Sequence, residues 1–316
     1  MKMKKILSGL LAGILICLTA FSCSAADNSL IEKFKSGQGG GLDYMYFAPE
    51  SDGCYPLVIW LHGIASGSYN GEQVEAYDFY NWASDEYQSR FANAGHAYLL
   101  CPLAAGTWDT TSVETLKKCI DSFIARFDGK IDTSRIYITG FSLGASMVIR
   151  EAAAYPSFFA ACVPISSIVR STDSLNSLKN MAVWFFANEK DTYITANSAA
   201  VAASFETLKN ITTDKSKIRF TSVSKSVTPD GSDVSVQHYM WRIFTNDMFM
   251  ADNSQYKYSN TEDGFGNTVT FTYPDGIISW LSQQTNSVAE TEKTGLIAKI
   301  LAFFERIRLF FVNLFS

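Results

Sequence analysis

Short apolar runs alternate along the chain with longer amphipathic stretches. Five of these runs lack regular polar alternation, which is typical of strands that are covered on both faces of a sheet. They are LVIWL at 57–61, AYLLC at 97–101, RIYIT at 135–139, AACVPI at 160–165 and AVWFFA at 182–187. Four stretches between or after them have helical character, at 77–93, 112–127, 143–155 and 197–209. The alternation predicts an α/β fold, a doubly wound, mostly parallel sheet with helices on both faces.

The pattern continues more weakly toward the C-terminal part of this domain. KIRFTSV at 217–223 indicates a further strand, and GIISWLSQQ from Gly276 indicates a closing helix. Between them, at about 243–274, the periodicity is lost in a polar and aromatic stretch that contains the turn signal DGFGN. We interpret this stretch as an insertion before the last helix, in a single domain that spans 27–284.

The first residues have the pattern of an export signal. Lys2, Lys4 and Lys5 precede an apolar run, and small residues follow it up to Ala26. A charged start, an apolar centre and small residues near a cleavage point are typical of secretory signal peptides, so 1–26 is excluded from the fold and the protein is expected to be secreted or associated with the cell envelope. Lipidation at Cys23 is the alternative, although Ala20 stands where a lipidation signal usually has Leu.

The last residues form a separate amphipathic segment. A polar linker at 285–294 leads to 295–316, where apolar residues recur at intervals of three and four. Charged residues within this segment argue against a helix that spans a bilayer, so we predict an amphipathic helix that contacts a membrane surface or the envelope. Docking onto its own domain or self-association is the alternative, because an apolar stripe does not identify what covers it.

Composition and charge exclude several classes of function. The net charge is −5 and the central chain has no cluster of Lys and Arg, which argues against a nucleic-acid partner. Outside the signal, the chain has Cys54, Cys101, Cys119 and Cys162, with no Cys-x-x-Cys pair. Their pairing stays open, and we expect neither a metal nor a cofactor.

The strongest chemical signal is GFSLG, which places Ser142 between Gly140 and Gly144. A predicted strand precedes this pentapeptide and a predicted helix follows it, which is the context in which G-x-S-x-G exposes a nucleophile on a sharp turn. Glycine on both sides permits a turn that passes close to neighbouring elements. Ser142 is therefore the candidate nucleophile.

A serine nucleophile needs a base and a carboxylate that orients it. The chain has three histidines, and of these only His238 follows Ser142, in the Ser–acid–His order of such enzymes. His62 and His96 flank strands, and we assign them structural roles. Asp191 directly follows a strand and is the candidate acid, with Glu189 as its nearest rival.

The oxyanion of a tetrahedral intermediate needs two backbone donors. The N–H of Leu143, directly after the serine, is the first candidate. The loop HGIAS after the first apolar strand suggests the N–H of Ile64 as the second, with Gly63 as a weaker alternative.

The motifs YPLVIWLHG, IDTSRIYITGFSLG, YPSFFAA, ANEKD and HYMW together resemble those of a known family. Across 55–284 the chain is similar to the α/β-hydrolase superfamily, in particular the secreted esterases that include feruloyl and acetylxylan esterases, polyhydroxybutyrate depolymerases and predicted-peptidase-like relatives. The resemblance implies that Ser142 is the nucleophile, Asp191 the acid, His238 the base, and Leu143 and Ile64 the oxyanion donors. The chain departs from the family at Ala145 and in HGIAS, where relatives have further glycines, and the second departure leaves that donor less defined.

These observations predict a secreted serine carboxylesterase that acts through an acyl-enzyme. The expected substrate is a small ester or an ester linked to a polysaccharide, such as those of the plant cell wall. A serine peptidase is one alternative, weakened because no separate domain that gates substrate entry is evident. A catalytically silent hydrolase-fold module that binds carbohydrate or an envelope component is the other.

Overall fold

A computed structural model describes residues 28–286 except 65–77, 92–93, 105, 170, 194–197, 228–231, 235 and 253–254. The predicted signal at 1–26, the helix at 295–316 and all of the linker but 285–286 lie outside the described residues. No helix in the described part of the chain is long and apolar enough to cross a membrane.

The described residues form a sheet of ten strands in the order β1-β2-β4-β3-β5-β6-β7-β8-β9-β10. The strands are β1 Lys35–Gly39, β2 Leu42–Phe47, β3 Tyr55–Leu61, β4 Tyr98–Pro102, β5 Ile131–Phe141, β6 Ala161–Ile165, β7 Ala182–Asn188, β8 Ile218–Val223, β9 Ser259–Asp263 and β10 Thr268–Val269. Strands β4, β3, β5, β6, β7 and β8 run parallel, while β1 and β2 at one edge and β9 and β10 at the other pair antiparallel. This arrangement confirms the predicted doubly wound, mostly parallel fold class.

Helices cover both faces of the sheet. They are α1 Asn28–Ile31, α2 Asp85–Ser89, α3 Val113–Arg126, α4 Leu143–Ala154, α5 Thr172–Leu178, α6 Ser198–Ile211, α7 Trp241–Thr245 and α8 Ile277–Ser282. Short 3-10 helices lie at Phe79–Ala83, Lys215–Lys217 and Tyr256–Tyr258. Helices α3 to α6 pack on one face of the sheet, and α7 and α8 pack on the other. Alternate residues of each central strand point to opposite faces, so every central strand contributes to both cores.

The core on each face is apolar and closed. Strand β3 shows the division: Leu57, Ile59 and Leu61 join the cluster under α3 to α6, whereas Val58 and Trp60 join the cluster under α7 and α8. All five are fully buried. The apolar run in the sequence is uninterrupted because both faces of the strand are covered, as predicted.

The stretch at about 243–274, which we interpreted as an insertion, contains regular structure that the sequence pattern does not indicate. It includes β9 and β10, which extend the sheet beyond β8 as an antiparallel pair. Strand β9, SNTED, is polar and only partly buried, so it has no apolar signal and forms by pairing with β8.

The cysteines at 54, 101, 119 and 162 are all free thiols in the described residues. Cys101 and Cys162 are fully buried in β4 and β6, and Cys119 is fully buried in α3. Each of these three behaves as a small apolar side chain.

Candidate active site

Ser142 lies at the sharp junction between β5 and α4. Its backbone has φ 55° and ψ −116°, a conformation that is strained for a residue with a side chain. The Ser142 N–H donates to the carbonyl oxygen of Ile165 at the end of β6, at 2.9 Å. The turn is therefore held against the neighbouring strand, at the carboxyl edge of the sheet.

The glycines on both sides of the serine are required by close backbone contacts. A Cβ on Gly144 would lie 2.1 Å from the Leu61 carbonyl oxygen and 2.4 Å from the His62 carbonyl oxygen, far inside van der Waals distance. A Cβ on Gly140 would lie 2.9 Å from the same Leu61 oxygen. The end of β3 thus passes directly against the first turn of α4, and only glycine permits this approach.

A hydrogen-bonded chain joins Ser142, His238 and Asp191. The Ser142 Oγ lies 2.9 Å from His238 Nε2, and His238 Nδ1 lies 2.6 Å from Asp191 Oδ2. With the proton on Nδ1 donated to the carboxylate, Nε2 is the acceptor for the serine hydroxyl. The base and the acid are both buried, at 6% and 7% exposure, so water competes little for either bond.

Asp191, rather than its rival Glu189, contacts the histidine. Glu189 is exposed, and its Oε1 lies 3.5 Å from the hydroxyl of Ser222. The second oxygen of Asp191, Oδ1, accepts the backbone N–H of Tyr193 at 3.0 Å. Both oxygens of the Asp191 carboxylate are therefore bonded, which fixes its orientation toward His238.

Two aromatic rings enclose the His238 imidazole. The Phe141 ring is 4.8 Å away and tilted by 46°, and the Tyr193 ring is stacked at 4.3 Å with an angle of 29°. Phe141 is buried, whereas Tyr193 is 54% exposed. Tyr193 has one signal in the sequence, an aromatic residue two positions after the acid, and that signal alone does not distinguish it from other loop aromatics.

His62 has a structural role, as its position after a strand suggested. Its Nδ1–H donates to the Gly63 carbonyl oxygen at 2.7 Å, and its Nε2 accepts the N–H of Ala104 at 3.2 Å. Burial lowers the pKa of His62 to about 4, so the ring is neutral at physiological pH. The indole N–H of Trp108 donates to the His62 carbonyl oxygen at 2.9 Å, which further anchors the loop after β3.

The candidate oxyanion donors lie on the two elements that meet at Gly144. Leu143 is the first residue of α4, where a backbone N–H has no acceptor within the helix. Ile64 follows the His62–Gly63 pair, and its side chain is 77% exposed. The direction of the Ile64 N–H stays a prediction. The described residues contain no group of three or more His, Cys, Asp or Glu side chains that could hold a metal ion.

Comparisons with known proteins bear on the family and on the fold. Residues 109–233 match the model of the phospholipase/carboxylesterase family, a segment that includes Ser142 and Asp191 and ends before His238. The match covers less than half of the chain. No curated protein matches the sequence.

Among solved structures, a thermostable esterase has a TM-score of 0.57 and 21% identity, with 82% of this chain and 64% of that protein covered. An acetyl xylan esterase from Aspergillus awamori has a TM-score of 0.41 and 16% identity, with 55% and 77% covered. An acylaminoacyl peptidase from Pyrococcus horikoshii has a TM-score of 0.47 and 15% identity, with 70% and 43% covered. The likeness to the thermostable esterase identifies the fold as that of the α/β hydrolases.

Proposed function

We propose that this chain, which has the α/β-hydrolase fold, is a serine hydrolase that cleaves carboxylic esters. The observation that carries the proposal is the hydrogen-bonded chain of Ser142, His238 and Asp191, with its serine on a strained strand-to-helix turn. An ordinary surface serine needs neither a positive φ nor a buried histidine and carboxylate behind it, so the combination favours a nucleophile over a silent module.

The proposed reaction begins when Ser142 Oγ attacks the acyl carbon of the ester. His238 Nε2 takes the hydroxyl proton as the bond forms, and Asp191 stabilises the resulting imidazolium. The N–H groups of Leu143 and Ile64 are the proposed donors to the oxyanion. As the tetrahedral intermediate collapses, His238 returns the proton to the leaving alkoxide, so an alcohol departs and an acyl-serine remains.

The second half of the reaction repeats these roles with water. His238 Nε2 removes a proton from water, whose oxygen attacks the acyl carbon and forms a second tetrahedral intermediate. Collapse breaks the bond to Ser142 Oγ, which regains its proton from His238. The products are the carboxylic acid and the serine in its initial state, and no cofactor is consumed. We propose small esters or polysaccharide-linked esters as substrates.

The proposal is tested by labelling the purified protein with a fluorophosphonate probe and by hydrolysis of a short-chain p-nitrophenyl ester. Ser142→Ala and His238→Ala should both lose labelling, and kcat should fall by about 10³-fold or more, as removal of a triad member does. Ser146→Ala is the matched control, since its hydroxyl bonds to Ser167 at 2.7 Å one helical turn farther along α4. It should keep both activities.

Two results would refute the assignment. Ester hydrolysis retained in Ser142→Ala would exclude this serine as the nucleophile. If the correctly folded wild-type protein is not labelled by the probe and does not hydrolyse esters, the result would favour the silent binding module.

We also propose that the chain is exported through 1–26 and contacts the envelope through 295–316. Cell fractionation of the full chain and of a variant without 295–316 tests the second point, and association that is unchanged by the deletion would refute it. Cys23→Ala in the variant without 295–316 separates lipidation from free secretion, because only a lipoprotein would change its fractionation with that substitution.

A further inference from the structure

Two amide side chains, one fully buried at Asn188 and one partly buried at Gln237, join the loop that carries Asp191 to the loop that carries His238. Asn188 is the last residue of β7 and is fully buried. Its Nδ2 donates to Gln237 Oε1 at 3.0 Å and to Ser226 Oγ at 2.7 Å. Its Oδ1 accepts the N–H of Lys190 at 2.8 Å, so the same side chain also fixes the turn that leads to Asp191.

Gln237, which directly precedes His238, uses both ends of its amide. Besides the bond from Asn188, its Oε1 accepts the backbone N–H of Ser226 at 2.7 Å. Its Nε2 donates to the carbonyl oxygen of Val234 at 2.6 Å. The amide therefore closes the loop before His238 onto itself and ties it to the end of β7.

We infer that Asn188 and Gln237 are positioning residues that hold His238 and Asp191 at their bonding distance, an inference that rests on the proposed function. Among the described residues of the segment after β8 that carries His238, pairing is limited to one isolated β-bridge, Val227 to Asp233, so strand pairing alone does not fix it. Loops of this kind are more mobile than the elements they connect. The Asn188–Gln237 contact supplies a fixed link beside the His238–Asp191 bond itself.

The size of the expected effect follows from the sensitivity of catalysis to geometry. A misplacement of about 1 Å at reacting groups can cost about 10²-fold in rate. Loss of the Gln237 amide also leaves the Ser226 N–H without this acceptor in a buried region, so the loop should shift to find another. We expect kcat to fall by about 10- to 100-fold, with KM nearly unchanged because neither amide contacts the substrate in the proposed reaction.

Gln255 provides a matched control in the same part of the chain. It is fully buried, its Oε1 accepts the N–H of Val227 at 2.8 Å, and its Nε2 donates to the Lys225 carbonyl oxygen at 2.7 Å. Gln255 thus holds the segment after β8 by two hydrogen bonds from its amide, as Gln237 does. These two bonds involve neither Asn188 nor His238. Gln255→Ala should lower thermal stability without a comparable change in kcat.

The experiment compares Asn188→Ala, Gln237→Ala, the double variant and Gln255→Ala in the full mature protein. The measurements are kcat and KM for a short-chain p-nitrophenyl ester, the rate of fluorophosphonate labelling, and the melting temperature. We expect both single variants to lose kcat and labelling rate, and the double variant to lose little more than either, since one shared contact is removed. Gln237→Met, which keeps the side-chain volume without hydrogen bonds, provides a second variant if Gln237→Ala does not fold.

The outcomes separate this inference from the proposed function. Suppose that the probe labels the wild type, but that the kcat of Gln237→Ala or Gln237→Met equals that of the control Gln255→Ala. The positioning role is then refuted, and the proposed function stands. A rise in KM with unchanged kcat would refute it equally. If the folded wild type is neither labelled nor able to hydrolyse esters, the proposed function is refuted, and the positioning role of the two amides is refuted with it.

Discussion

Glu151 is a buried carboxylate on α4, the helix that begins directly after Ser142. Its side chain is fully buried, and neither carboxylate oxygen has a hydrogen-bond partner among the described residues. Burial raises its pKa from 4.5 to about 8, with Lys117 opposing the shift and Glu114 adding to it. The protein therefore folds with Glu151 protonated across the neutral range.

The sign of the effect on stability follows from which state binds the proton. Between pH 4.5 and about 8 the folded protein keeps a proton that the unfolded chain releases, so the free energy of unfolding decreases as pH rises through this window. Each pKa unit corresponds to about 1.36 kcal/mol, so ionised Glu151 lowers stability by roughly 4–5 kcal/mol above pH 8. Glu151→Gln removes this proton dependence and should leave the packing nearly unchanged.

The assay is urea unfolding followed by tryptophan fluorescence at pH 5, 7 and 8.5. We expect Glu151→Gln to resemble the wild type at pH 5 and to exceed its free energy of unfolding by at least about 2 kcal/mol at pH 8.5, as linkage requires. Glu206→Gln makes the same change at an exposed position of α6. Its difference from the wild type in the free energy of unfolding should be nearly constant across the three pH values. A Glu151→Gln difference that is also constant, or that decreases with pH, would refute the buried, protonated carboxyl.

Three further perturbations test contacts around the site. Gly144→Ala should reduce fluorophosphonate labelling by about 10²-fold, because its Cβ would lie 2.1 Å from the Leu61 oxygen and must displace the turn; wild-type labelling would show that the contact can relax. His62→Gln should make the free energy of unfolding in urea less sensitive to acid. Between pH 6.5 and about 4 the unfolded wild-type chain binds a proton at His62 that the folded chain does not, so wild-type stability falls as pH falls through that window. If variant and wild type lost equal stability between these pH values, a neutral, buried ring would be contradicted. Tyr193→Ala should lower kcat about tenfold by uncovering the stacked face of His238, whereas Tyr193→Phe should stay within about twofold; equal kcat values in the two variants would mean that stacking does not orient the base.

The central strands and the nucleophile turn could be predicted from the sequence because each has a local cause. Strand β7 is apolar at every core position because both of its faces are covered, and GFSLG is constrained by the contacts of its own glycines. These features depend on a few neighbouring residues, so they are visible in a single sequence. The order Ser–acid–His then limited the base to one histidine.

The elements that the sequence did not indicate depend on partners distant in the chain. Strands β1 and β9 have polar sequences and form by pairing with β2 and β8. Asn188 and Gln237 are separated by 49 positions, and an amide in a polar loop has no local pattern that distinguishes a side chain that links two loops from a solvated one. Only the folded arrangement identifies that pair.

The two edges of the sheet have a consequence for how the protein behaves when it is crowded. An exposed strand edge is a template on which other chains can add, and long, flat, apolar edges are the most hazardous. Here β1 begins with Lys35 and carries glycines at alternate positions, and β10 is only two residues long. Within the described chain, both ends of a strongly apolar central sheet are thus closed by short or polar strands, which disfavours edge-to-edge aggregation at high concentration.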